Sequence, residues 1–335
     1  YKVRNIENYD KTPADYLFNT YIDLLLKQNK QLSGKSRSKF FGRDDQVRIE
    51  RKEDGIRSYF GDKDITAITT FDIRSYLELL DGNRNKPLAN STRSKHIVII
   101  RKIMKIAYEK GILTQIPLMP ESSRQDNPRP SFSEDEYKTL LTKTRECIEN
   151  GDVVRGITIS LEVYYFIVFL VHSFMRPIET EIFAVIHKDI KIKMNPDRLE
   201  IRVKGKTGFR VVSTLQSAVE FLEKMRELNP EYEENDYLFF NNYPNRSTAS
   251  RNFQRQFGYI LDKCKLRETE DGNLRTPYAL RHYSLQTRLR KSKGKVNIFN
   301  LAKNAGTSVE QLERFYLRNM EFSDDLVENL QTFGD

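Results

Sequence analysis

The segment IPLMPESSRQDNPRPS, residues 116 to 131, carries four prolines, and it constrains the chain more than any periodicity around it. Each proline fixes φ, removes a backbone donor and pushes its predecessor away from helix, so neither helix nor sheet can run through. The chain is therefore expected to divide into a lobe of residues 1–116, a Pro-rich linker of residues 117–131 and a second lobe from residue 132. With 335 residues and 38% hydrophobic content there is material for two cores. Ser133 and Glu136 form a capping-box pattern that opens the second lobe.

The first lobe reads as helical. Thr12-Pro13 is a helix start, followed by an apolar stripe of Tyr16, Leu17, Tyr21, Leu24 and Leu25. An amphipathic segment spans about Val47 to Phe60. A helix from Thr69 or Thr70 is expected to bury Ile73, Tyr76, Leu77 and Leu80, and another from Ser91 to Lys110, closed by Gly111, to bury Ile97, Ile100, Ile103, Met104 and Ala107. Arg93, Lys95, Arg101, Lys102 and Lys105 load the rest of that last helix with positive charge, as a solvated face or a nucleic-acid contact.

In the second lobe, VYYFIVFLV from Val163 to Val171 is a buried core helix, far short of the roughly 20 residues a membrane span requires. Residues 189–212 switch to alternation, with Leu199, Ile201 and Val203 facing one way and turns at 195–197 and 204–208. Helices follow at about 247–264, 278–290, 297–304 and 308–318. The expected class is mainly α with one small antiparallel sheet.

Lys and Arg number 56 against 47 Asp and Glu, a net charge of +9 that favours a polyanionic partner. Two cysteines in no metal-like spacing and four scattered histidines suggest neither a disulfide framework nor a metal site. The N-terminal residues lack the apolar core of a signal peptide, and a cytoplasmic protein without a membrane anchor is expected.

Within helix 278–290, Tyr278, His282, Leu285 and Leu289 face inward and Arg281 sits at the edge of that face. A guanidinium there is costly unless paired, by a carboxylate or by an anion from outside. Three other places share this character: HSFMRPIETEIF, where an apolar helix ends at Arg176 and Pro177 starts another; VKGKTGFRVV, with Lys206 in a tight turn; and LERFYLR, with Tyr316. Phosphoryl transfer needs donors for the non-bridging oxygens, a proton source for the leaving group and a nucleophile. Two arginines, a lysine and a tyrosine supply them. Taken singly each has a plain alternative: a helix cap, a turn lysine, a core aromatic.

The order FMRPIE, GKTGFR, YALRH, NAGTS, LERFYLR resembles the tyrosine recombinase (phage integrase) family over most of residues 132–320. The helical half, with its basic helix near residue 100, is similar to the family's core-binding domain. The resemblance implies a two-lobed DNA clamp, with a core-binding domain at residues 1–116 and a catalytic domain at 132–320. It implies catalytic roles for Arg176, Lys206, Tyr278, Arg281, Thr307 and Tyr316. Arg176 and Arg281 would grip the scissile phosphate, Tyr316 would form a 3′-phosphotyrosyl link, and Lys206, or Lys204 in another orientation of the turn, would protonate the 5′ oxygen. Tyr278 and Thr307 stand where the family carries His and His or Trp. A phenol or hydroxyl can hydrogen-bond a phosphate oxygen, but neither is a base near neutral pH.

Glu179 or Glu181 is expected to orient a guanidinium and His282 to give structural support, while the basic run at 288–295, with Arg288 and Arg290, reads equally as a DNA-backbone contact or a solvated loop. The tail, residues 321–335, is spaced for a short amphipathic helix packing on a neighbouring subunit or on its own lobe. Expected partners are double-stranded attachment-site DNA, a homo-tetramer in synapsis formed from monomers, and accessory DNA-bending proteins, with no cofactor or ATP, in the bacterial nucleoid of a mobile element's host. The rival readings are a type IB topoisomerase and a catalytically silent DNA-binding protein of the same fold.

Overall fold

The computed structural model describes residues 13–31, 41–83, 87–121, 130–205, 208–292 and 295–314. The chain divides into two compact units, Tyr1–Asn127 and Pro128–Asp335.

In the first unit, residues Ala14–Tyr16 form a single 3-10 turn before α1 (Phe18–Gln31), so the regular helix starts later than Thr12-Pro13 implied. The expected amphipathic segment of 47–60 is two short helices, α2 (Arg43–Glu50) and α3 (Ile56–Phe60). Gly55 lies between them, and a Cβ there would stand 2.2 Å from Arg51 O. That close approach of backbone to backbone is available only to glycine. Helix α4 (Thr70–Gly82) opens on a Thr69–Asp72 capping box and buries Ile73, Tyr76, Leu77 and Leu80. Helix α5 (Asn90–Glu109) buries the stripe read from its period, and Gly111 follows it at φ 74°. These helices share one core with Phe18, Phe60 and Ile100 fully buried.

The second unit opens with α6 (Glu134–Glu149), whose Ser133–Glu136 capping box is formed. A short hairpin, β1 (Val153–Val154) and β2 (Ile157–Thr158), leads to α7 (Leu161–Ser173). Helix α7 is apolar over most of its surface because most of it is buried, with Phe183, Phe239, Phe240 and Phe253 packed against Phe166. An antiparallel sheet follows in the order β3 (Ile190–Lys193), β4 (Arg198–Gly205), β5 (Gly208–Ser213). Leu199, Ile201 and Val203 of β4 face the core, while Arg202 and Lys204 face solvent.

The remaining helices are α8 (Ala218–Leu228), α9 (Arg246–Lys263), α10 (Tyr278–Lys291), α11 (Ile298–Ala305) and α12 (Val309–Leu312). Helix α8 has no counterpart in the sequence expectations. Phe174, Leu285, Leu289, Leu301, Ala302, Ala305 and Leu312 make a satellite core that joins the end of α7 to α10, α11 and α12. This small core sets where the arginines of the second unit meet. No helix among the described residues is long and apolar enough to cross a membrane.

Candidate active site

The site begins where α7 stops. Phe174 takes φ 56°, a left-handed conformation that costs a residue with a Cβ about 1 kcal/mol or more. Its ring is buried in the satellite core, which holds it there. The chain thereby turns, and Arg176 comes out two residues later, with its side chain 22% exposed.

Pro177 does not start a helix, contrary to the sequence expectation. Residues 176–181 are bends and turns, and a single 3-10 turn follows at Ile182–Ala184. The physical reason is Glu181. Its carboxylate, fully buried, accepts from the Arg176 backbone N–H at 2.7 Å and from Arg176 NH1 at 3.0 Å, folding the segment back on itself. Of the two acids read as candidates, Glu181 therefore pairs with the guanidinium, while Glu179 is exposed in a neighbouring cleft of about 510 Å³.

A third arginine completes this cluster. Arg210 on β5 donates to both Glu181 oxygens, NH1 to Oε2 at 3.2 Å and NH2 to Oε1 at 2.5 Å. It also donates from Nε to Asn304 O at 3.1 Å and from NH2 to Ala305 O at 3.4 Å. Sequence reasoning passed over Arg210, although a signal existed: the β4–β5 register pairs it with Val203, on the inward face, where an unpaired cation would be costly. Burial raises the Glu181 pKa, but the hydrogen bonds and charge of Arg210, and then those of Arg176, outweigh it and hold the carboxyl below its ordinary value.

Arg281 is more buried than its place in the helix implied. It is 4% exposed, well inside the inward face rather than at its edge. Its NH1 donates to Phe174 O and its NH2 to Ala305 O, the latter at 2.7 Å. Helix α10 packs directly on α7, and Ser284 Oγ also donates to Val171 O, so Arg281 is drawn inward with the helix.

The three arginines thus share one frame, the carbonyls at the C-terminal end of α11. Arg176 NH2 donates to Gly306 O, next to the Ala305 and Asn304 carbonyls already named. A helix C-terminus carries partial negative charge and orphan carbonyls, so it suits cations. Gly306 closes α11 at φ 64°, and Thr307 N donates back to Ala302 O at 2.9 Å. A Cβ on Gly306 would lie 2.7 Å from Arg210 Cζ. Gly306→Ala is therefore expected to lower folding stability by about 1–3 kcal/mol, read from the urea midpoint at unchanged slope. Thr307→Ala should change it by less than about 0.5 kcal/mol, since that residue contributes a backbone bond.

Tyr278 is half-buried at the start of α10 and lines the 510 Å³ cleft with Pro177, Glu179, Gln254, Arg267 and Thr276. His282 is buried one turn on, its ring 6.3 Å from that of Tyr278. Thr307 is half-buried beside Gly306. Lys204 is exposed on β4 with Nζ 6.0 Å from the Phe209 ring. Lys206 and Tyr316 lie outside the described residues, as do the later part of the helix read at 308–318 and the tail at 321–335. Among the described residues no group of three or more His, Cys, Asp or Glu could hold a metal ion.

In the first unit, Lys95, Arg101 and Lys105 are exposed on α5, and Lys95 and Lys102 line a cleft with Arg43 and Arg48. Arg93 is ion-paired to Asp81 of α4 and Lys105 to Glu109 on its own helix, so these charges are partly neutralised within the unit. Arg288 and Arg290 are exposed near the end of α10.

The fold is shared with several solved structures. A lambda integrase tetramer bound to a Holliday junction matches with a TM-score of 0.66 at 15% identity, over 92% of this chain and 80% of that one. The Tn1549 transposon integrase with a circular-intermediate DNA matches with a TM-score of 0.63 at 13% identity, over 94% and 98% of the two chains. The XerH site-specific recombinase bound to difH substrate matches at 0.54 and 14% identity, over 97% and 92%. Residues 57–122 match the family model of the phage integrase SAM-like domain, and no curated protein sequence matches the chain. The chain therefore shares the fold of these integrases and recombinases, and residues 57–122 resemble the phage integrase SAM-like domain.

Proposed function

We propose that the protein is a site-specific DNA recombinase, an integrase of a mobile element, that cuts and rejoins strands through a phosphotyrosyl intermediate. The observation that carries this reading is the convergence of Arg176 and Arg281 on one frame at the end of α11, eleven residues before Tyr316 in the chain. Two of the five N–H donors of Arg176 are taken up among the described residues, and its side chain is partly open to solvent. It is therefore suited to receive a phosphate oxygen, while Arg281 sets the charge from beneath.

In this scheme the Tyr316 oxygen attacks the scissile phosphorus and the bond to the 5′ oxygen breaks. That oxygen takes a proton from Lys206, with Lys204 as the alternative donor. The two guanidinium groups favour the phenolate over the phenol, whose ordinary pKa is near 10. Rejoining is the same step in reverse with a new 5′-hydroxyl, so the phosphodiester energy is conserved in the protein–DNA link. Tyr278, beside the cleft, and Thr307, beside Gly306, act as hydrogen-bond donors to phosphate oxygens in place of imidazole or indole. His282 supports α10 from within.

Lys95, Arg101, Lys102 and Lys105 of the first unit contact duplex backbone, as do Arg288 and Arg290 of the second. Monomers assemble on paired sites as a tetramer, as lambda integrase does on a Holliday junction, with accessory DNA-bending proteins and with the tail of residues 321–335 joining neighbours. The bacterial nucleoid is the corresponding location.

A test starts from duplex sites that the protein itself selects from a random-sequence library. A nicked duplex carrying such a site, from which the 5′ product diffuses away, should give a covalent protein–DNA band on a denaturing gel with the wild type and none with Tyr316→Phe. A site bound tightly without any band would favour the catalytically silent reading. A band from both proteins would mean that another residue is the nucleophile.

A further inference from the structure

We infer that Arg210 is a positioning residue for strand cleavage: it fixes Glu181 and the turn that carries Gly306 O, the two partners of Arg176, and so sets the direction of that guanidinium toward the phosphate. The inference rests on the recombinase reading and adds a residue to it.

Arg176 is held through its side chain by two acceptors, Glu181 Oε2 at 3.0 Å and the Gly306 carbonyl. Arg210 holds the first directly and the second through the two residues that precede it. The Arg210 fork meets the Glu181 carboxylate with one nitrogen per oxygen, which fixes the plane of the carboxylate as well as its place. The same guanidinium reaches Asn304 O and Ala305 O, the two carbonyls before Gly306. Removing Arg210 would leave the Glu181 carboxylate held only by Arg176 itself, and would loosen the turn that presents Gly306 O.

Two further features show that the chain is shaped around this group. Gly205 and Gly306 both leave room for it, since a Cβ would lie 2.8 Å from Arg210 NH1 at Gly205 and 2.7 Å from Cζ at Gly306. Asn304 is tied to the same strand, accepting from Ser213 N at 2.7 Å and donating to Ser213 O at 2.9 Å. Arg210 therefore joins three segments that the proposed chemistry needs in register: the hairpin bearing Lys206, the turn bearing Arg176, and the end of α11 that leads toward Tyr316. With its side chain 16% exposed, it acts mainly through these protein contacts.

The experiment uses the full chain and the nicked duplex carrying the library-selected site. Arg210→Ala is expected to slow adduct formation at saturating DNA by about 100-fold, the scale of a misplacement near 1 Å, with the Kd for the duplex changed by less than about three-fold. Arg210→Lys, which keeps the charge but not the fork, should fall between. The deciding readout is a double-mutant cycle. Once Arg210 is alanine, adding Arg176→Ala should cost far less than it costs the wild type, because Arg176 is already misdirected.

Losses that multiply independently, or an Arg210→Ala rate within about three-fold of wild type, would overturn the inference. If Arg210→Ala does not fold, the same cycle is run on Arg210→Lys, where a wild-type rate or independent losses count equally against it. Absence of any wild-type adduct instead overturns the recombinase reading, and this inference falls with it.

Discussion

Glu181→Ala should lower the folding stability of the unit formed by residues 128–335 by about 3–5 kcal/mol, because it leaves two guanidinium groups without the buried charge that offsets theirs. The effect exceeds that of an ordinary surface ion pair because the carboxylate is fully buried and accepts four hydrogen bonds, from Arg176 N and NH1 and from Arg210 NH1 and NH2. Urea unfolding at neutral pH measures it, and a loss under about 1 kcal/mol would show that the pair contributes little.

The pH dependence has a definite sign. The Glu181 pKa is lower folded than unfolded, so its contribution is fully present above the unfolded value, near 4.3, and is lost as pH falls through the folded value. The stability gap between wild type and Glu181→Gln is therefore expected to be constant around neutrality and to shrink below about pH 4. A gap that widened on acidification would contradict the ion-pair account.

Arg281→Lys is expected to reduce covalent adduct formation by about 100- to 1,000-fold, because the charge is retained but no longer held in place by two carbonyls. An ammonium is a single point and cannot span Phe174 O and Ala305 O as the guanidinium does. Some stability is lost as well, about 1–3 kcal/mol, because a buried carbonyl loses its donor. Folding and cleavage are therefore measured on the same preparation, and cleavage near the wild-type rate in a folded Arg281→Lys protein would remove Arg281 from the chemistry.

These predictions depend on residues that differ in how far the sequence revealed them. Arg281 was conspicuous as a charge at the edge of an apolar helical face. Its depth was not, because burial at 4% follows from α10 packing on α7 and α11, which no periodicity within α10 encodes. Glu181 and Glu179 were equivalent as neighbours of Arg176 until the turn at 176–181 folded one inward and left the other in the cleft. Arg210 looked like one more basic residue in a charged hairpin. Only the register of β5 against β4, and the arrival of α11 from ninety residues further on, gave it a carboxylate and two carbonyls.

Local rules were sufficient where structure is local. The 3.6-residue period identified the buried faces of α4 and α5, the capping box opened α6 at Ser133, and alternation placed Leu199, Ile201 and Val203 inward on β4. Those features arise from side-chain spacing and hydrogen bonds within a few residues. The sequence by itself therefore determined the mainly helical class, the small antiparallel sheet and the order of the arginine, lysine and tyrosine motifs. Tertiary structure alone decided which carboxylate neutralises Arg176, that Arg210 joins it, and that three guanidinium groups meet the carbonyls at the end of α11. The reason is physical: a buried charge takes its partner from whatever the fold brings within hydrogen-bond reach, and here that partner comes from segments up to 130 residues apart.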